Sequence, residues 1–343
     1  MSKDDEDDPI LGPAALVFHT PVRGKRRRIT DHAGSGGRHA KVLSRISRIV
    51  RRRPEVMVKV TGSARGFRSL KEHLAYITRN GKLEAERESG ELIRGTAGVQ
   101  SLATEWWGDC GIDRPTRARD TINLILSMPP GTDPQAVADA ARAFAHETFG
   151  NKYDYLLAHH NHDSDPKRPE NPQAHLAIKT RGHEGQRLDP RKEDLQAWRE
   201  GFAEQLRKRN VEAEATPRRA RGVVRKGQRQ AIRHMNVRRG SRVSWWKVNQ
   251  ALKTVTQKTV THDQAPEAAA PWTTATRERQ RKVRRAWGQL AIALEDTGQA
   301  ALAKEVRQFL ANLPNLATER EALAAVAQKA LAKRVKPEPQ RSR

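Results

Sequence analysis

Two alternating periodicities predict an α+β chain with a small all-α region toward its C-terminal end. Three observations lead there: apolar residues repeat every second position in four short segments, amphipathic helical repeats fall between them, and Ala/Leu-rich helical segments follow position 276. In the first strand candidate Val56, Val58 and Val60 alternate with Glu55, Lys59 and Thr61. In the second, Ile122, Leu124, Leu126 and Met128 alternate with Asn123 and Ser127. Residues 153–160 and 174–180 are two further strand candidates, the latter ending at Arg181-Gly182.

The helices are read from caps and stripes. Over 67–80 the apolar stripe is Phe67, Leu70, Leu74 and Ile77, and at 100° per residue Tyr76 projects away from it, near Glu72 and Arg79. Asp133-Pro134 supplies a cap and a first-turn proline, Val137, Ala141, Phe144 and Ala145 make one face, and Gly150 follows Phe149 as a stop. Residues 193–209 repeat Trp198, Phe202 and Leu206 at four-residue spacing, with Arg199, Arg207, Lys208 and Arg209 elsewhere on the cylinder. Residues 277–295, 299–312 and 318–333 read as three helices separated by Gly298 and Pro314.

These elements imply five segments. Residues 1–54 combine an acid cluster (Asp4, Asp5, Glu6, Asp7, Asp8) with Lys25-Arg26-Arg27-Arg28, Gly34-Ser35-Gly36-Gly37 and Arg51-Arg52-Arg53, and are expected to form a mostly disordered leader. The main domain spans 55–224. A basic strap and linker follows over 225–276, then a helical tail domain over 277–334 and a basic tail over 335–343.

Lys and Arg total 65 against 40 Asp and Glu, a net charge of +25. Unpaired buried cations are costly, so the excess faces outward and calls for a polyanion, nucleic acid or anionic lipid. No apolar run approaches the roughly 20 residues that span a bilayer, and an acidic start is the reverse of a secretory signal. The expectation is a soluble chain that is not secreted by that route. Cys110 is the only cysteine, which excludes an intrachain disulfide and multi-thiolate zinc sites. A metal would need His, carboxylate or amide ligands.

Two features bear chemistry. Five of the twelve histidines lie between His159 and His183, and His159, His160 and His162 close one strand candidate. By the period-two rule His160 and His162 share a face, as do Gln173 and His175 on the next strand, so antiparallel pairing would gather imidazoles and an amide at one point. Such donors suit a divalent ion with positions open to a phosphate oxygen; the bland reading is that histidines in a basic, proline-rich loop simply face water. The second feature is Tyr76, an outward phenol with Arg79 and Lys82 nearby to offset phosphate charge. A surface tyrosine lying against its neighbours is the alternative.

The order of these segments resembles the relaxases, or mobilization nucleases, of conjugative plasmids, in the branch of the T-DNA border-nicking endonuclease. Leu74-Ala75-Tyr76-Ile77-Thr78-Arg79-Asn80-Gly81-Lys82-Leu83 looks like the family's nucleophile motif, and Ile125-Leu126-Ser127-Met128-Pro129-Pro130-Gly131-Thr132 is similar to its second motif. Residues 153–160 followed by His175-Leu176-Ala177-Ile178 resemble its third, His-x-Asp, then His-x-His. Here His160 matches the first His, His162 stands where the Asp is expected, Gln173 replaces the middle His and His175 matches the last.

The resemblance implies a central antiparallel sheet with flanking helices, of relaxase/Rep-like kind. It implies that Tyr76 nicks single-stranded DNA at a transfer origin through a 5′-phosphotyrosine and so initiates conjugative transfer. His160, His175 and Gln173 would hold a divalent ion, Mg or Mn, with His162 and Asp163 in catalytic support. Arg79, Lys82, Ser127, Arg218, Arg219 and Arg221 would contact DNA. Relaxosome accessory proteins and a type IV coupling protein are the implied partners, with no membrane. The implied location is the bacterial cytoplasm, with export beside DNA through type IV secretion. Two other readings stay open: a non-catalytic or degenerate DNA-binding mobilisation accessory, and a histidine-metal phosphodiesterase without a covalent intermediate.

Overall fold

The computed structural model describes residues 8–18, 35–109, 118–160, 171–223, 230–238, 242–261, 271–317 and 319–335. Its elements in chain order are α1 (Leu11–Phe18), α2 (Ser35–Val50), β1 (Met57–Ala64), α3 (Phe67–Ile77), β2 (Ala85–Arg87), β3 (Leu92–Ile93), α4 (Gly95–Gly108), β4 (Thr121–Ser127), α5 (Pro134–Ala145), β5 (Tyr155–His160), β6 (Gln173–Lys179), α6 (Lys192–Arg207), α7 (Gln230–Arg238), α8 (Arg242–Thr261), α9 (Pro271–Asp296), α10 (Ala300–Ala311) and α11 (Glu319–Val335). They fall into two compact units: one spans 43–216, the other holds the described residues of 1–19, 29–42 and 217–343.

The first unit is built on a six-stranded sheet of order β1-β4-β6-β5-β2-β3, antiparallel at every pairing. All four strand candidates are present, because alternating Val, Ile and Leu bury one face and then the other of a pleated ribbon. Strands β2 and β3 are three and two residues long, too short to show a period. One face carries Val58, Leu124, Leu126, Leu157, Leu176 and Ile178 against α5 and α6, where Phe144, Phe149, Trp198 and Phe202 interlock edge to face. The opposite face carries Leu156, Ala158 and Ala177 against Leu70, Leu74 and Ile77 of α3 and Val99, Leu102 and Trp106 of α4. Covering both faces explains why β4, β5 and β6 are buried almost throughout.

The helix signals act as read. The Asp133 carboxylate accepts from the Gln135 and Ala136 amides at 3.0 and 3.3 Å, capping α5 ahead of Pro134. A single π turn, His146–Gly150, closes that helix.

Residues 1–54, expected to be disordered, contain two helices. In α2, Ile46 and Ile49 are buried, and Arg45 and Arg48 converge on the nearly buried carboxylate of Glu214, Arg48 Nε at 2.7 Å. In α1, Val17 and Phe18 are buried, and the Phe18 ring meets Trp287 at 6.0 Å. Both helices take partners more than 150 residues away, which local composition does not reveal.

The second unit centres on Trp287 of α9, fully buried, tilted against Phe309 of α10 and donating from Nε1 to the Ala220 carbonyl at 3.0 Å. Part of the 225–276 stretch, read as strap and linker, is helical as α7, α8 and the start of α9. Residues 336–343, the bulk of the expected basic tail, lie outside the described residues. No helix among the described residues is long and apolar enough to cross a membrane.

Candidate active site

The site forms where the C-terminal end of α3 meets the ends of β5 and β6. Register pairs His160 with Gln173 and Ala158 with His175, and on the other edge of β6 pairs Gln173 with Ser127. Ser127, Gln173 and His160 therefore make one row across the sheet, with His175 in the next row on the same face. The His160 and His175 rings are 4.4 Å apart between centroids, and both residues are buried. His159 points to the opposite face, where burial first, and then the charge of Arg142, pushes its imidazole down to about 4.

Tyr76 occupies the last turn of α3 and stays 50% exposed, between two imidazoles: His175 edge-on at 6.1 Å and His73, one turn earlier, stacked at 6.3 Å. The other two tyrosines are buried, and desolvation raises both phenols, Tyr155 to about 12. Of the chain's three tyrosines only Tyr76 offers its ring to a large substrate. Burial alone pushes His73 down to about 4, so its ring is neutral near pH 7. Sequence reading missed His73; its i, i+3 spacing to Tyr76 was the available signal.

The chain turns sharply after Tyr76. Thr78 Oγ1 donates to the Leu74 carbonyl at 2.8 Å and accepts from the Gly81 amide at 3.2 Å, and Arg79, Asn80 and Gly81 all take positive φ. A Cβ on Gly81 would sit 2.2 Å from the Gly95 carbonyl carbon, so only glycine lets this turn lie on the first turn of α4. Thr96 Oγ1 and the Gly95 amide complete the contact by donating to the Asn80 and Gly81 carbonyls. Arg79 is half-buried and Lys82 exposed beside this turn.

His160 Nε2 lies 2.6 Å from the Ile77 carbonyl. A carbonyl only accepts, so Nε2 carries the proton and Nδ1 holds the lone pair. A backbone carbonyl on one ring nitrogen of a histidine is a common support for a metal ligand on the other. His160 Nδ1 and His175 Nε2 are both buried ring nitrogens. Among the described residues no three His, Cys, Asp and Glu side chains gather as a metal group; Gln173 is the register partner of His160 beside these two imidazoles.

The remaining expected residues divide. Ser127 is buried in the row beside Gln173. His162 and Asp163 lie outside the described residues. Arg218, Arg219 and Arg221 belong to the second unit, where the carbonyls of Arg219 and Ala220 accept from Gln280 and Trp287 and the Arg219 guanidinium is largely desolvated. A cavity of about 660 Å³ lies against α5, lined by Glu86, Arg142, His146 and Tyr155, and contains none of the residues around Tyr76.

Comparison with known proteins follows the same residues. The family model "Relaxase: MobA/VirD2-like, nuclease domain" matches residues 76–211. The T-DNA border endonuclease VirD2 of Rhizobium radiobacter is 28% identical over 192 residues, 50% of this chain and 44% of that protein. Its counterpart from Agrobacterium fabrum (strain C58 / ATCC 33970) is 27% identical over 192 residues, 50% of this chain and 42% of that protein. The chain thus spans less than half the length of these relatives. Among solved structures, one titled for the molecular basis of vancomycin resistance transfer in Staphylococcus aureus is 15% identical, with a TM-score of 0.31, over 48% of this chain and 98% of that one. The conjugative relaxase TrwC in complex with mutant OriT DNA is 12% identical, with a TM-score of 0.28, over 77% of this chain and all of that one. Residues 76–211, which hold Tyr76, His160, Gln173 and His175, are thus similar to the nuclease domain of the MobA/VirD2-like relaxases.

Proposed function

We propose that this chain nicks single-stranded DNA at a transfer origin and initiates conjugative transfer. One observation carries the reading: the exposed phenol of Tyr76 stands within a ring's width of His175, which lies against His160. In the reaction Tyr76 Oη gives up its proton and bonds to phosphorus, and the bond from phosphorus to the 3′ oxygen breaks. The 3′ oxygen takes a proton, leaving a free hydroxyl on one fragment and a 5′-phosphotyrosyl link on the other. One ester replaces another, so the step reverses and can rejoin the strand. Arg79 and Lys82 offset the phosphate charge, and His73 and His175 hold the phenol between them.

The donor set fits a divalent ion, Mg or Mn, with His160, His175 and Gln173 as its holders. Bound there, the ion would polarise the scissile phosphate. His162 and Asp163 remain candidates for support at the same end of β5. Accessory DNA-binding proteins, a type IV coupling protein and a cytoplasmic location are part of the same proposal, supported by likeness to the T-DNA border endonucleases.

The test is a 3′-labelled single-stranded transfer-origin oligonucleotide incubated with Mg or Mn and run on a denaturing gel. Wild type is expected to give a protein-linked labelled fragment, and Tyr76→Phe none. Equal adduct from both proteins removes Tyr76 as nucleophile; no adduct from either, with DNA still bound, selects the accessory reading.

A further inference from the structure

Residues 215–262 contain thirteen Lys and Arg and not one Asp or Glu. Within that stretch α8 packs on α11; Ala251 is buried, while Arg242, Val243, Trp245, Trp246 and Lys253 are exposed. Two adjacent tryptophans lie there, Trp245 at 69% and Trp246 at 57% exposure. Indoles of this size are normally covered, so two bare rings on one short surface call for a partner.

The helical phase gives the partner's chemistry. Arg242, Trp246, Asn249 and Lys253 recur at i, i+4, i+7 and i+11, so a cation, an indole, an amide and a second cation line one stripe about 16 Å long. Trp245 opens the neighbouring stripe with Val248 and Leu252, both partly exposed. The first turn of α11 anchors α8 through Lys247 and Glu319, and anchors α9 through Arg277 and Glu321. Trp272, 75% exposed, begins that same end of α9. Three of the chain's seven tryptophans are thus bare on one helical group, in which Glu319 and Glu321 are paired with Lys247 and Arg277.

We propose that the α8 surface is a second single-strand binding platform, separate from the nuclease site. Unstacked bases would lie on Trp245 and Trp246, with phosphates on Arg242 and Lys253. A duplex hides its base faces and offers the indoles nothing, whereas a single strand offers bases and phosphates in alternation, as the stripe does. The rings and cations are interleaved rather than segregated, which is why a strand suits the surface better than a lipid interface. The proposal does not depend on Tyr76 being the nucleophile.

Binding of the full-length chain to fluorescein-labelled oligothymidylate and to a labelled duplex, followed by anisotropy over a salt series, tests it. Trp245→Ala/Trp246→Ala is expected to weaken single-strand binding about tenfold or more and duplex binding less than about twofold. Trp246→Phe should retain most of the affinity, because a phenyl ring also stacks. Arg242→Ala/Lys253→Ala should lower the salt slope by about 1.4, two phosphate contacts' worth on a single strand. Bound oligothymidylate should quench tryptophan emission in wild type and much less in the double tryptophan variant. Unchanged single-strand affinity, equal losses on duplex, or a loss confined to phosphatidylserine vesicles or to self-association in sedimentation would each overturn the proposal.

Discussion

His160 Nε2 donates to the Ile77 carbonyl at 2.6 Å, tying the residue after Tyr76 to the strand that carries the histidines. One hydrogen bond thereby fixes the imidazole tautomer and holds the end of α3 against the sheet. Tyr76 and the proposed metal ligands come from sequence positions more than 80 residues apart, and this contact joins the two chain segments directly.

Removing either imidazole should therefore separate binding from chemistry. His175→Ala is expected to cut adduct formation about 100-fold or more while leaving oligonucleotide affinity within about threefold. Gln173→His adds a third imidazole opposite His160 and should tighten Mn binding about tenfold or more, read by calorimetry or by chelator competition. Unaltered metal affinity in Gln173→His would exclude that side chain from the ligand set.

Gly81→Ala should be costly for a reason unrelated to catalysis. The new methyl would meet the Gly95 carbonyl carbon at 2.2 Å at a backbone φ of 78°. Thermal or urea unfolding is expected to show a loss of about 2 kcal/mol or more. A change below about half of that would mean that the turn relaxes away from α4.

Burial of His73 makes stability depend on pH. Above 6.5 the ring is neutral in both folded and unfolded chains. Between 6.5 and about 4 only the unfolded chain takes up the proton, so stability falls as pH drops through this window and levels off below it. His73→Gln should show a shallower loss than wild type between these limits in melts across a pH series. Parallel curves would mean that the imidazole is protonated in the folded chain.

Much of this was legible in the sequence because periodicity is a local property. The alternation of Ile122, Leu124 and Leu126 sets β4, the stripe of Leu70, Leu74 and Ile77 sets α3, and the same 100° geometry turns Tyr76 outward. Period two likewise put Gln173 and His175 on one face of their strand, whereas His160 joined them only through the register of β5 with β6. Helices α1 and α2 escaped notice because α1 is a short apolar run beside an acid cluster and α2 is polar and glycine-rich around a few apolar residues. Their partners include Trp287 for Phe18 and Glu214 for Arg45 and Arg48, all far along the chain. For His73 the sequence offers only its i, i+3 spacing to Tyr76, and the burial that holds the ring neutral comes from packing.

The sequence by itself determined the element types, the outward phenol, the face on which the imidazoles lie and the need for a polyanion, all consequences of spacing and charge along the chain. The tertiary structure alone decided that His160 and His175 meet at 4.4 Å, that Tyr76 stands beside them, and that Arg218, Arg219 and Arg221 belong to the second unit. The reason is that register and packing partners depend on which distant surfaces bury one another, and no local window of residues contains that information.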